Sequence, residues 1–242
     1  TEVTITLAEF LAEPGAAADD NCEVDYITYV DDSTGTCPLV ITRTFTVYDL
    51  CGNSANCNQT IEIDDTTDPT ITCPTNLELE ACETGDITTV AGGSTLPFSE
   101  TEVTITLAEF LAEPGAAADD NCEVDYITYV DDSTGTCPLI ITRTFTVYDL
   151  CGNSATCDQT ITIDDTIDPT ITCPTNLDLE ACDTDDITTV TGGSSLAYSE
   201  TLVTITLTEY LAETGATAGD NCEVDYITYI DSNDGNTCPM TI

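Results

Sequence analysis

The stretch Ile141-Thr142-Arg143-Thr144-Phe145-Thr146-Val147-Tyr148 decides the fold class. Its side chains alternate with period two. Ile141, Arg143, Phe145 and Val147 face one way, and Thr142, Thr144, Thr146 and Tyr148 the other. That is the pattern of a strand with one buried face. Outward from it, Gln159-Thr160-Ile161-Thr162-Ile163 alternates as well, and the run from Val124 to Val130 does so less cleanly. Thr70 to Cys73 and Leu77 to Glu80 read as opening strands, and Ile87 to Val90 as another that ends at the Gly92-Gly93 turn. One segment differs. Leu107, Phe110 and Leu111 are at helical spacing, Thr106 and Glu109 fit a capping box, and Pro114-Gly115 stops the run. Seven or so short strands in about 100 residues predict an all-β chain built as a β-sandwich with a short helical insertion.

The same pattern recurs. Residues 1–100 return at 101–200 with only 12 differences and begin again at 201–242. A period near 100 is the size of one globular domain and too long for a solenoid turn. The acidic runs Ile63 to Pro69 and Ile163 to Pro169 read as boundaries. They divide the chain into 1–67, the end of one domain; 68–167, a complete domain; and 168–242, the start of a third. The chain is expected to be a stretch of a longer array.

Composition closes several function classes. There are 46 acidic residues, no His, no Lys and two basic side chains, Arg43 and Arg143, for a net charge of −44. Nucleic-acid binding and adhesion to anionic lipid both need Lys and Arg. A Ser-His-Asp triad and a His-ligated zinc need His. No apolar run approaches the roughly 20 residues that span a bilayer. Hydrophobic residues make up 41%, enough for packed cores. The self-repulsion of so acidic a chain must then be offset from outside. Ca²⁺, which prefers carboxylate oxygens, is the expected cofactor.

Thr144-Phe-Thr-Val-Tyr-Asp-Leu-Cys-Gly-Asn-Ser-Ala-Thr-Cys157, a strand, and then Asp164-Asp-Thr-Ile-Asp-Pro-Thr-Ile-Thr-Cys-Pro174 resemble the hyalin-repeat family, as does Ala118-Asp-Asp-Asn-Cys122. The resemblance covers the whole repeat. It implies tandem immunoglobulin-like β-sandwich domains of about 100 residues, like those repeated in giant secreted surface proteins of gliding and biofilm-forming bacteria. Such modules are commonly stalks, and the helical insertion departs from the short form of the repeat.

Fourteen cysteines predict an oxidising, extracellular setting. Six cysteines per copy allow 15 connectivities. An immunoglobulin-like topology prunes these to Cys73–Cys157, Cys122–Cys151 and Cys82–Cys137, the first also being the pairing the resemblance implies. The same rule gives Cys22–Cys51 and Cys182–Cys238 in the partial domains, and leaves Cys37, Cys57, Cys173 and Cys222 with partners beyond the sequence. A metal thiolate is disfavoured, since CxxC and His are both lacking.

The carboxylates carry the functional expectation. At one junction the linker brings Asp64, Asp65 and Asp68, and the following loops bring Asp119, Asp120, Asn121, Asp149 and Asn153. The next junction brings Asp164, Asp165 and Asp168 to Asp220 and Asn221, with Gly219 in place of Asp119. These groups are expected to hold Ca²⁺. A second acidic cluster, Asp131 and Asp132 with Asp231 and Asp234 in the third copy, is a weaker Ca²⁺ candidate. Arg143 is expected to form an exposed ion pair on the sheet, and Tyr126, Tyr129 and Tyr148 to cover it. The function that follows is a structural segment of an extracellular fibre or stalk, partnered by neighbouring repeats or identical chains. The alternative is a multivalent adhesin for glycans or other cells. An enzyme is not expected, since carboxylates in repeated loops lack any other catalytic group.

Overall fold

A computed structural model describes residues 1–233. The elements in chain order are β1 (Val3–Ile5), α1 (Leu7–Phe10), β2 (Val24–Thr34), β3 (Leu39–Asp49), β4 (Ser54–Ile63), β5 (Thr70–Thr72), β6 (Leu77–Glu80), β7 (Val103–Ile105), α2 (Leu107–Leu111), β8 (Ala117–Asp119), β9 (Val124–Gly135), β10 (Leu139–Asp149), β11 (Ser154–Asp164), β12 (Thr170–Thr172), β13 (Val203–Ile205), α3 (Leu207–Leu211), β14 (Thr217–Gly219) and β15 (Ile227–Tyr229). The chain is mostly β, as its alternating Thr, Val and Ile require. Ile87 lies in a 3-10 turn, Thr84–Thr88, rather than the expected strand. Asp86 makes that turn by accepting the Cys82 N–H at 2.9 Å, an Asx-type bond that competes with strand pairing.

The chain divides into two compact units. The first comprises Thr1–Asn76, Ser99–Asp132 and Thr142–Thr160; the second comprises Leu77–Phe98, Ser133–Ile141 and Ile161–Ile242. In the first unit β1-β2-β3-β4 form one sheet. Its β2–β3 pairing sets Asp31 opposite Arg43 and Tyr29 opposite Phe45. β5 pairs antiparallel with β8, and β7 with the start of β9. The alternation predicted for β10 holds residue by residue: Arg143, Phe145 and Val147 are buried and their neighbours less so. The helix is held as expected. Thr106 Oγ1 accepts the Glu109 N–H at 3.2 Å, and Glu109 Oε2 accepts the Thr106 N–H at 2.8 Å. It delivers Phe110 to the core, edge-on to Phe145 at 5.0 Å. Phe10 and Phe45 repeat this contact.

Arg143 faces inward with these residues. Its Nε and one terminal nitrogen donate to Asp131 Oδ1 and Oδ2 at 2.7 and 2.8 Å, over the Tyr129 ring. Both charged side chains are 0% exposed, against 26% and 37% for Arg43 and Asp31. The ion pair was expected; its burial was not. Buried guanidinium needs such a bidentate partner to offset its desolvation.

In the second unit β6 runs parallel to the end of β11, with Leu77 opposite Ile161 and Leu79 opposite Ile163. These pack with Ile87 and Ile141 into one core. β12–β14 and β13–β15 form two further pairs, and Tyr210 and Ile227 anchor a second core.

Three disulfides are present among the described residues. Cys73–Cys157 is the expected bridge. The other two correct the expected pairing. Cys151 joins Cys37, not Cys122, and Cys82 joins Cys222, not Cys137. Their Cα atoms stand 5.1 and 5.3 Å apart, within ordinary disulfide reach. Cys22 and Cys51 are both free, so they do not pair either, and Cys122, Cys137 and Cys182 are also free. The expected Cys182–Cys238 pair includes a residue outside the described ones. Cross-copy bonding won because identical copies offer each cysteine equivalent partners, and backbone proximity alone selects among them. Bridges of this kind belong to an oxidising compartment. No helix among the described residues is long and apolar enough to cross a membrane.

Candidate metal centre

Asp149 ends β10 and folds the loop that follows. Its Oδ1 accepts the N–H groups of Cys151 and Asn153, both at 2.8 Å, and its Oδ2 accepts the Asn153 amide at 2.7 Å. Gly152 takes φ +87° there, where a side chain would strain the turn. Asp120 shapes the other loop. Its Oδ2 accepts the N–H groups of Cys122 and Glu123 at 2.8 and 3.2 Å. Its Oδ1 is buried and has no hydrogen-bond partner.

Asp65 stands between the two loops and is itself buried. The Asn121 amide donates to Asp65 Oδ2 at 3.2 Å, and the Asn153 amide to the Asp65 carbonyl at 2.9 Å. Asp65, Asp120 and Cys122 present ligand atoms within 4.8 Å of one another, as do Asp65, Asp149 and Cys151. Cys151 is disulfide-bonded and offers no thiolate. The Thr67 N–H, then the Cys122 thiol and the Asn121 amide, hold the Asp65 carboxyl below its usual range. Asp65 in turn pushes the Cys122 thiol up, which disfavours thiolate ligation.

The second unit repeats the motif. The Asn221 amide donates to Asp165 Oδ1 at 3.1 Å and the Ile167 N–H at 3.2 Å; these two bonds, Asn221 first, lower the Asp165 carboxyl. Asp220 Oδ2 accepts the Cys222 N–H, and Asp220 Oδ1 is again buried without a partner.

The expected ligand set is thus only partly assembled. Asp65, Asp120, Asn121, Asp149 and Asn153 meet, and so do Asp165, Asp220 and Asn221. Asp64 and Asp164 lie instead against the sulfurs of Cys37 and Cys137, at 3.6 and 3.5 Å. Asp68 and Asp168 are exposed, and Asp119 is engaged through its backbone with β5. None of these three joins the group at Asp65. The second acidic cluster is corrected. Asp131 and Asp132 lie in β9, not in a loop. Both Asp131 oxygens serve Arg143, and Oδ2 also accepts the Ser99 N–H at 2.9 Å. A cation there would have to displace the guanidinium. Asp132 is exposed. Asp231 accepts the Ser199 N–H at 2.8 Å, and Asp234 lies outside the described residues. Sequence reasoning missed Glu80, which accepts the Thr166 N–H at 3.0 Å beside Asp165; it is placed by a parallel pairing that no local pattern announces.

Both arginines are spent on Asp31 and Asp131, so no cationic side chain remains for Asp65, Asp120 and Asp149. Two carboxylates 4.8 Å apart repel by roughly 3.5 kcal/mol at an effective dielectric of 20. The donor set is hard oxygen, suited to Ca²⁺. On the outer face Tyr126 and Tyr148 stack at 4.7 Å, as do Tyr26 and Tyr48. Comparison with protein-family models and with curated proteins finds no match to this chain.

Proposed function

We propose that this chain is a structural segment of an extracellular fibre or stalk, built from tandem immunoglobulin-like repeats and stiffened by Ca²⁺ where the linker Asp65 meets Asp120 and Asp149. The observation that carries the reading is the buried Oδ1 of Asp120, left without a hydrogen-bond partner in a residue grouped within 4.8 Å of Asp65, and recurring at Asp220. Asp65, Asp120 and Asp149 would hold the ion, each with oxygen lone pairs left over from its N–H donors. Bound there, Ca²⁺ would exchange mutual repulsion for shared coordination and tie the linker to two loops. Fibre and stalk roles, absence of enzymatic activity and the likeness to hyalin repeats all fit near-identical copies, which propagate one geometry along a line.

The test is Ca²⁺ binding by calorimetry on the chain and on Asp120→Asn. The reading expects saturable binding that the substitution weakens roughly tenfold or more. Equal affinity in both would overturn it. A second reading, a multivalent adhesin, draws support from the stacked Tyr126–Tyr148 pair on the outer face. A glycan array with Tyr126→Ala separates it from the first: binding that the substitution abolishes favours the adhesin.

A further inference from the structure

The three bridges span 84, 114 and 140 residues: Cys73–Cys157, Cys37–Cys151 and Cys82–Cys222. Against the 100-residue period each defines a pairing rule. Seven cysteines are free among the described residues: Cys22, Cys51, Cys57, Cys122, Cys137, Cys173 and Cys182. Every one is the repeat equivalent of a bonded cysteine, and the rules place all seven partners at positions below 1 or above 242. Cys22 and Cys122 are later members of the 140-residue pair, Cys51 of the 114-residue pair and Cys57 of the 84-residue pair. Cys137, Cys173 and Cys182 are earlier members of the 114-, 84- and 140-residue pairs.

The free thiols also sit as their bonded equivalents do. Cys137 Sγ lies 3.5 Å from Asp164 Oδ1, and bonded Cys37 lies 3.6 Å from Asp64 Oδ1. The Asn121 amide approaches free Cys122 at 3.3 Å, and Asn221 approaches bonded Cys222 at 3.6 Å. Asp186 accepts the N–H of free Cys182 at 2.8 Å, and Asp86 that of bonded Cys82 at 2.9 Å. Asp49 accepts the N–H of free Cys51 at 2.8 Å, and Asp149 that of bonded Cys151 at 2.8 Å. β12, which precedes Cys173, pairs with β14 in the register that β5, which precedes Cys73, keeps with β8. These are half-sites already built for a bond.

We propose that the free cysteines are halves of disulfides to further copies of this same repeat, so that each boundary between copies is crossed by two bridges. With boundaries at 67/68 and 167/168, Cys37–Cys151 crosses the first and Cys82–Cys222 the second. Cys122 supplies the second crossing at the first boundary and Cys137 the second crossing at the next. Only the 84-residue bridge closes within a copy. Each bond forms by exchange with an external disulfide. One cysteine thiolate attacks the carrier, giving a mixed disulfide, and the second thiolate displaces the carrier thiol. Two cysteine thiols are oxidised, one carrier disulfide is reduced to two thiols, and the protons pass to the released thiolates. The array is then a covalent ladder whose continuity does not depend on the backbone. This proposal does not use the calcium site and stands or falls apart from it.

Two readouts test it. The sequence contains Asp-Pro bonds only at Asp68–Pro69 and Asp168–Pro169, which dilute acid cleaves while disulfides survive. After cleavage the chain is expected to run as one species near 25.7 kDa without reductant, and as three fragments with it. Three fragments without reductant would overturn the crossings. In the full natural protein, isolated without reductant and blocked with iodoacetamide, peptide mapping is expected to find the repeat positions of Cys122, Cys137 and Cys182 in linked peptides of the 140- and 114-residue classes. Recovery of these three as alkylated thiols, or linkage of Cys122 to Cys151, would overturn the proposal.

Discussion

Replacing Arg143 by Met should unfold the chain at a markedly lower temperature, whereas the same change at Arg43 should scarcely register. Met keeps most of the aliphatic stem over Tyr129 but removes the fork that satisfies Asp131. Asp131 is then a buried carboxylate left with the Ser99 N–H at 2.9 Å. Losing one partner of a buried pair costs about 3–5 kcal/mol. At about 2–4 °C per kcal/mol for a chain of this size, the expected fall is roughly 6–20 °C. Arg43 and Asp31 are partly solvated, and an exposed pair contributes about 0–1 kcal/mol. The double variant Arg143→Met/Asp131→Leu should recover most of the loss, because no buried charge remains. It should not recover all of it, since the Ser99 N–H is orphaned at about 1–3 kcal/mol. Calorimetry on the oxidised protein measures all four chains. An Arg143→Met transition within 2 °C of the parent, or equal falls at positions 43 and 143, would refute the burial argument.

Phe110→Ala removes the side chain that fills the space beside Phe145 and should cost about 3–5 kcal/mol in a denaturant melt. The carboxyls of Glu9, Glu109 and Glu209 are held below their usual range, first by the backbone N–H of Thr6, Thr106 and Thr206 and then by the hydroxyls. Their contribution is present above the unfolded pKa of about 4.3 and is lost as pH falls through the lower folded value; a melt series from pH 6 to pH 3 should therefore slope less in the triple Glu→Gln variant than in the parent. In the 242-residue chain expressed by itself, where Cys122 has no partner copy, Asp65→Asn removes the anion that raises the Cys122 thiol, so alkylation of Cys122 at pH 8 should speed up; an unchanged rate would place the cause elsewhere.

The strand face of β10 was legible because alternation forces it. The same alternation put Arg143 on the buried face, and as one of two cations in the chain it had to find an anion across the strand. Asp131 stands in the position that Asp31 holds opposite Arg43, so the register carried a signal that the acidic run Asp131-Asp132 obscured. The capping box at Thr106 and the meeting of Asp65 with Asp120 and Asn121 were legible because each rests on short motifs. The disulfides were not. Pairing was pruned inside one copy, yet Cys37 and Cys137 are identical in local sequence, and only the folded backbone decides which of them reaches Cys151. Glu80 escaped for a similar reason, since parallel pairing of β6 with β11 joins residues 84 positions apart in the sequence and so brings Glu80 to Thr166.

Small-angle scattering of the oxidised chain in saturating Ca²⁺ and in chelator, with Ca²⁺ stoichiometry measured in parallel, bears most directly on the central claim. Bound Ca²⁺ is expected, with an unfolding transition raised by about 2.7 kcal/mol per site at a hundredfold excess over Kd and a maximum dimension that becomes variable when the ion is removed. No bound Ca²⁺, with identical scattering in both conditions, would contradict it.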